Sequence, residues 1–445
     1  RPVGPSFCFE SIIMPSADAS PPPSSRLHLV AAVALTGVAA GLGAAALSWL
    51  IHMVQHLAYG HSEAQMRIVT DGTTSDHRLW ALLASGLVVA LGWTCLQLKG
   101  RPVVGVNGAV AADTPARRRP PFLENVLHAV LQIVAVGSGA PIGREVAPRE
   151  LGVLFAGRIA DSFRLDDEMR RILVASGAAA GLAGVYQVPL AGTIFALEIL
   201  LGAFSIRAGV VALAVSVIAT LVARMDVSTE TFYLVGQVEG GTVMVLWAAL
   251  VGALVGLPGA AFRRAVQQVE SHRARGWGVL WALPLACLVT GVVAMWLPQV
   301  LGNGRSAAQA AYDGTTLALC AALLVGKTVV VLLTLRAGAF GGTLTPGLSI
   351  GALAGLLLAL LVRLLPQTGW VPDVVVPGLG ALSQMDLLLS ALAGSVGFLA
   401  VSMNAPLTAF ALVLGFTGQH SAAILPMLAA VTMAMATASL WPARR

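Results

Sequence analysis

The chain has 445 residues, of which 57% are hydrophobic and only 11% are charged, and its mean hydropathy is +0.83. Soluble proteins carry about 25% charged residues, and a soluble fold cannot hide this much apolar surface from water. The net charge of +6 comes from basic residues spread over short connections, which form no basic face for phosphate recognition. These numbers exclude a soluble globular protein and a nucleic-acid-binding protein. They predict a polytopic protein embedded in a lipid bilayer.

The first 26 residues are polar and rich in Pro and Ser, so residues 1–26 are predicted to form a tail and not a signal peptide. Long apolar runs follow, near the ~20 residues that a membrane-crossing helix needs. They lack the polar alternation of a β-barrel, so the predicted fold class is all-α. The uncharged runs are Leu29–Ile51, Leu79–Leu98, Ile172–Leu197, Gly241–Phe262, Trp277–Val300 and the long stretch Leu387–Ala443.

Short charged connections predict the orientation and the division of the chain. Positive charge in short loops favours the cytoplasmic side, whereas Asp226–Glu239 carries only acidic charges and is expected outside. Both termini are therefore predicted to be cytoplasmic, in a bacterial-type inner membrane or a plasma membrane. The connection near residue 272 divides the chain into a first transmembrane repeat, 27–272, and a second, 273–443. The basic connections are Arg117–Arg119, Arg164–Arg171, Arg263–Arg275 and Arg444–Arg445.

The two halves resemble each other weakly in their Gly- and Pro-containing motifs. The interval from Gly143 to Pro148 is echoed by the interval from Gly341 to Pro346. Further along, the segment Val188–Ala191 is echoed by Ala405–Thr408, each with Pro in second place. Apolar segments interrupted at matching places are typical of a transporter-type fold with a site at the repeat interface.

These interrupted segments can form an anion site. Pro suits the first turn of a helix, and the N-terminus of a half-helix presents free N–H groups and the positive end of a dipole. Glu145 lies in the first such loop, beside Arg144, and an acid at membrane depth is a functional candidate. As a carboxylate it would compete with an anion for the N–H groups, and when protonated it could swing away. The alternative is a structural Glu145 paired with Arg144 or Arg149.

Three motifs together carry a resemblance to a known family: Gly143-Arg144-Glu145-x-x-Pro148, Gly342-Thr343-Leu344-Thr345-Pro346, and Pro189-Leu190-Ala191-Gly192 running to Glu198. In order and spacing the chain resembles the CLC family of chloride channels and anion/proton exchangers over about residues 27–440. The resemblance implies a homodimer whose subunits each transport chloride or a similar small anion. It also implies two inverted repeats of tilted and partial helices, with no enzymatic activity. No organic cofactor and no metal site are expected.

The resemblance assigns roles to individual residues. Glu145 matches the gating glutamate, and Thr343 and Leu344 match the pair whose backbone N–H groups hold the central anion. Spacing places Asn107 and Gly108 in the first anion-binding loop, with Asn107 where the family has a serine. Ser138, in Gly137-Ser138-Gly139-Ala140-Pro141, has the neighbouring residues of the family's serine motif, but it lies closer to Glu145 along the chain than the family spacing. It remains the alternative.

Departures from the family pattern bear on proton coupling. Family exchangers have an inner acid at the position of Ile199, and the second half has Gly415 where an acid is usual. These two departures predict channel-like transport with weak proton coupling. The alternative within the family is an anion/proton exchanger, with fluoride as a second candidate cargo. Outside the family, a secondary transporter for an organic solute would share the repeats and the broken helices.

Three further polar residues stand in apolar surroundings. Lys327 interrupts an apolar run and is expected either to set the potential of an anion pathway or to fill a structural role. Glu198 is expected to be a structural acid bonded to backbone N–H groups. Gly347-Leu348-Ser349-Ile350-Gly351 fits a hydrolase nucleophile pattern, which would require Ser349 to lie near His420.

Overall fold

The computed structural model describes residues 23–60, 73–225, 231–238, 241–364 and 384–441. Most of the predicted tail and residues 226–230, 239–240 and 442–445 lie outside the described residues. The first helix begins at Pro23, so it includes the last residues of the predicted tail.

The first half consists of helices of very different lengths. Its third and fourth helices and the α-helical part of its eighth are only one or two turns long. The helices are α1 (Pro23–Tyr59), α2 (Ser75–Lys99), α3 (Val106–Ala111), α4 (Pro115–Arg118), α5 (Phe122–Gly137), α6 (Val146–Ser162), α7 (Asp167–Tyr186), α8 (Pro189–Phe195, continued by a π-helical turn over Ala196–Leu201) and α9 (Ile206–Ala223).

The second half repeats this order from a long first helix. Its helices are α10 (Thr242–Ser271), α11 (Trp277–Trp296), α12 (Arg305–Asp313), α13 (Leu317–Arg336), α14 (Leu344–Leu364), α15 (Gln384–Met403), α16 (Pro406–Thr417) and α17 (Ile424–Ser439), with 3₁₀ turns at Pro298–Val300 and Ser421–Ala423. The predicted boundary between residues 272 and 273 falls in the connection between α10 and α11.

Helix length separates full crossings from partial ones. Within the described ranges, nine helices are long and apolar enough to cross a membrane. Helices α5 and α16, and α8 together with its π-helical turn, are apolar but shorter, so they reach only part of the way. The prediction of an all-α polytopic fold with partial helices is confirmed.

The two halves pack in the same way. Helix α6 packs on α7 as α14 packs on α15, and α1 packs on α9 as α10 packs on α17. The crossing of α6 with α7 and that of α14 with α15 are close. A Cβ at Gly152 would overlap the backbone at Gly177, and a Cβ at Gly351 would overlap the backbone at Gly394. Small residues let backbones approach where no hydrophobic force drives helices together. The repeated packing brings the N-termini of α6 and α14 to the same place.

Candidate functional site

The loops that precede α6 and α14 are joined by a short antiparallel bridge. The N–H of Gly143 donates to the carbonyl of Gly342 at 2.7 Å, and the N–H of Gly342 donates back to Gly143 at 3.0 Å. A Cβ at either residue would overlap the carboxylate of Glu145. Glycine at both positions therefore leaves room for the carboxylate, and the bridge fixes the two helix N-termini side by side.

Glu145 is the N-cap residue of α6, and its side chain is completely buried. Its Oε1 accepts a hydrogen bond from the N–H of Leu344 at 2.8 Å. The hydroxyl of Thr345 lies 3.4 Å from Oε2. Leu344 is the first residue of α14, and the first N–H groups of a helix have no partner within it. The carboxylate thus occupies the positive end of the α14 dipole.

Aromatic side chains and two arginines lie on another side of Glu145. The hydroxyl of Tyr186 is 3.5 Å from Glu145 Oε2, and its ring packs against Phe232 and Phe416. The guanidinium of Arg144 lies 5.2 Å from the Tyr186 ring centroid, and that of Arg305 lies 4.7 Å from the Phe232 centroid. Positive charge therefore lies beside the aromatic rings that pack next to Glu145.

A large basic cavity, here called the vestibule, extends to the N-terminus of α14. It has a volume of about 1050 Å³, and its lining includes Thr343, Arg263, Arg264 and Asn404. Arg263 donates to the side-chain oxygen of Asn404 at 2.9 Å. Because Thr343 directly precedes Leu344, the vestibule ends one residue from the N–H group that Glu145 occupies.

The structure brings Glu145 and Leu344 together but places Asn107 elsewhere. Asn107 is exposed and, with Gly108, lines a cavity of about 330 Å³, here called the small cavity. Thr343 lines the vestibule and not the small cavity. Ser138 ends α5, and its hydroxyl donates to the carbonyl of Val134 at 2.8 Å.

The remaining predicted charges contact backbone groups. Glu198 accepts from the N–H groups of Leu407 and Thr408 at 3.1 and 2.6 Å, which is the structural contact expected for it. The buried ammonium of Lys327 donates to the carbonyls of Val300 and Gly302 at 2.8 and 2.6 Å.

The arginine beside the gate and the hydrolase-like serine also have backbone partners. Arg149 donates to the backbone carbonyl of Glu145 at 2.7 Å. The hydroxyl of Ser349 donates to the carbonyl of Pro346 at 2.7 Å, within α14.

Sequence reasoning missed one buried polar cluster, formed by His128, Gln132 and Glu150. His128 and Gln132 are four residues apart on α5 and so share one helix face. Glu150 follows Glu145 by five residues on α6. The available signal was a titratable residue at membrane depth in each of two neighbouring segments.

The broken helices, the repeated packing and the buried carboxylate at a helix N-terminus define a polytopic membrane protein of the inverted-repeat class. A family model described as voltage gated chloride channel matches residues 80–439. The chain belongs to this family, the CLC family.

Curated relatives include both exchangers and channels. The chain is 26% identical to the H(+)/Cl(-) exchange transporter ClcA of Vibrio parahaemolyticus, covering 94% of this chain and 88% of that protein. It is 28% identical to the voltage-gated ClC-type chloride channel ClcB of Salmonella typhimurium, covering 87% of this chain and 90% of that protein.

Solved structures show the same fold. A slow cyanobacterial Cl-/H+ antiporter superimposes with a TM-score of 0.76 at 21% identity, covering 94% of this chain and 95% of the other. A CLC-type fluoride/proton antiporter gives 0.72 at 20% identity, covering 94% and 98%. At these identities the likeness establishes the fold alone.

Proposed function

We propose that this protein transports chloride or a similar small anion across a membrane and that Glu145 is its gate. The observation that carries the proposal is the hydrogen bond from the N–H of Leu344 to the Glu145 carboxylate. An anion bound at the N-terminus of α14 would use the same N–H group and the same dipole. The carboxylate of Glu145 therefore acts as a tethered competitor of the transported anion.

Protonation decides which of the two occupies this position. An ionised carboxylate is held by a charge-assisted hydrogen bond, which is roughly twice as strong as a neutral one. A protonated Glu145 loses this advantage and leaves the N–H group free for an anion. Arg263 and Arg264 raise the local anion concentration in the vestibule through their positive charge. Anion passage is then expected to increase as the pH falls.

The backbone of Thr343 and Leu344 is assigned to the anion in this proposal. Thr343 supplies the wall of the vestibule, and Leu344 supplies the donor. Asn107 and Gly108 are not needed for it, because they line the small cavity. A homodimer in a bacterial inner membrane, with both termini in the cytoplasm, completes the proposal. The bacterial relatives and the family resemblance support it.

The test is anion flux from proteoliposomes that contain the purified full chain. Chloride, nitrate and fluoride are compared at several pH values, with an uncharged organic solute as control. The protonated fraction of a single carboxyl group falls about tenfold per pH unit once the group is mostly ionised, so wild-type flux is expected to depend on pH. Glu145→Gln, a neutral mimic, should give flux that is independent of pH. Unchanged pH dependence in that variant contradicts the gate assignment, and flux of the organic solute alone contradicts anion transport.

A further inference from the structure

A buried ionisable pair, formed by His128 and Glu150, links α5 and α6. The Nδ1 of His128 lies 2.9 Å from Oε2 of Glu150, and the side-chain nitrogen of Gln132 donates to the same oxygen at 2.9 Å. All three residues are at least nine-tenths buried. Burying a carboxylate is costly unless it is paired and hydrogen-bonded, so Glu150 is held in a site built to keep it.

Glu150 lines two separate cavities. The first, here called the charged cavity, has a volume of about 700 Å³ and is also lined by His128. The second is the small cavity, where Glu150 lies with Val146 and Ile199. A titratable side chain that borders two cavities can take a proton from one and release it to the other.

The pair has capacity for a further proton. Nδ1 of His128 also lies 2.9 Å from the side-chain nitrogen of Gln132. In the tautomer that donates from Nδ1 to Glu150, the other ring nitrogen, Nε2, is an acceptor. Among the described residues this Nε2 and the Oε1 of Gln132 are buried and have no hydrogen-bond partner. The rings of Phe340 and Trp93 pack beside the imidazole, with centroids 4.7 and 6.2 Å away. Within the described part of the chain, Nε2 accepts no hydrogen bond in this packing, although the indole N–H of Trp93 is itself buried without a partner, so the lone pair of Nε2 can bind a proton.

Charged groups around the pair lie mainly on the wall of the charged cavity. Burial lowers the pKa of Arg273, beyond the end of α10, and nearby Glu270 opposes this shift. On α6 itself, Arg149 also lines the small cavity, and its guanidinium packs over the ring of Phe195. The charged residues that line the charged cavity besides the pair are Arg101, Glu270, Arg273 and Arg275.

The other helices that pack on α6 hold their titratable groups in different contacts. Helix α3 has none in its sequence. On α7, Arg170 donates to Asp161 and Tyr186 contacts Glu145. On α1, Tyr59 donates to the carbonyl of Ser138.

We infer that His128 and Glu150 form a proton-binding site that supplies the inner titratable group of an anion/proton exchanger. Hydronium in the charged cavity gives its proton to the Glu150 carboxylate, so that one O–H bond forms and water is left. Water in the small cavity then takes this proton, so that the O–H bond breaks and hydronium forms there. His128 and Gln132 hold Oε2 of Glu150 throughout, and no bond of the imidazole ring changes.

The position of the site supports coupling to the gate. A bare proton cannot cross the membrane interior, so it needs successive titratable groups. Glu145 and Glu150 are separated by about 7.5 Å of helical rise, and Val146, the residue after Glu145, lines the small cavity. Ile199 lines the same cavity, so Glu150 provides there the carboxyl group that position 199 lacks. This inference rests on the proposed function and adds proton exchange to it.

The test measures proton and chloride movement together in sealed proteoliposomes under a chloride gradient. Wild-type protein is expected to move protons against their gradient. Glu150→Gln and His128→Asn should each lower the proton-to-chloride ratio at least about tenfold and keep chloride flux within about twofold, because the relay and not the gate is removed. Glu168→Gln, an exposed acid on α7, is the matched control and should leave the ratio unchanged.

A rescue variant separates a relay from a purely structural pair. Ile199→Glu in the Glu150→Gln background returns a carboxyl group to the small cavity and should restore proton movement. If the wild-type protein moves chloride without protons, the inference is wrong and the proposed function stands. This outcome does not depend on whether the variants fold. Proton and chloride flux that fall in proportion in both variants also overturn it. Absence of anion flux in the wild-type protein contradicts the proposed function instead.

Discussion

Two glutamates of the first half, Glu145 and Glu198, each bind the N-terminus of a helix in the second half. Glu145 accepts one N–H group, from Leu344, and is completely buried. Glu198 is half-buried and accepts two, from Leu407 and Thr408. An anion can replace a carboxylate that accepts one N–H group beside a cavity. A carboxylate that accepts two N–H groups is held more firmly and links the two halves. Under the proposed function, the same chemistry therefore serves a gate at Glu145 and a structural contact between the halves at Glu198.

Local packing enforces this difference. Around Glu145, two glycines leave room for the carboxylate, and a Cβ on either would overlap it. Near the Glu198 joint, α8 packs on α16, and a Cβ at Gly415 would lie 2.7 Å from a methyl carbon of Val188. A side chain at position 415 would therefore require Val188 to shift.

The largest expected effect is that of Gly342→Ala, which leaves every titratable group in place. The new Cβ would displace the Glu145 carboxylate from Leu344. Overpacking of this kind costs about 1–3 kcal/mol, equivalent to about a 5- to 150-fold loss of the closed state. We expect higher anion flux with little pH dependence in proteoliposomes. Gly347→Ala is the control, because a Cβ there is 3.5 Å from its nearest neighbour, Ser402. Wild-type pH dependence in Gly342→Ala would show that the carboxylate does not close the pathway.

Glu198→Gln tests the other side of the comparison. A neutral amide replaces a carboxylate that accepts two backbone N–H groups, and hydrogen bonds to charged groups contribute about 1.5–3 kcal/mol. Because Glu198 is partly exposed, solvent reduces the contribution of these hydrogen bonds, so we expect a loss of about 1–2 kcal/mol in the free energy of unfolding. Thermal unfolding in detergent measures it. The pH dependence of anion flux should stay as in the wild type; its loss would make Glu198 a second gate.

Sequence reasoning singled out Glu145 as the gating candidate because the signals for it are local. Gly, Pro and a single acid in an apolar run mark Glu145 and the N-terminus at Leu344 without reference to distant residues. The pair of His128 and Glu150 depends on which faces of α5 and α6 meet, and no local pattern states this. Asn107 was chosen by spacing alone, and spacing along the chain does not reveal which of two cavities a short helix borders.

The smallest expected effect is that of Tyr186→Phe, which sharpens the description of how Glu145 is held. The Tyr186 hydroxyl lies 3.5 Å from Oε2, beyond the usual range for a strong hydrogen bond. Its net contribution is therefore at the lower end, about 0.5 kcal/mol, which corresponds to about a twofold change in the closed population. Anion flux at neutral pH should rise by this factor, since the carboxylate leaves Leu344 more often. Tyr312→Phe is the matched control, because it removes a buried hydroxyl that contacts Ser395 at 2.8 Å and not Glu145. A rise of tenfold or more in Tyr186→Phe would mean that the tyrosine, and not the α14 N-terminus, holds the gate closed.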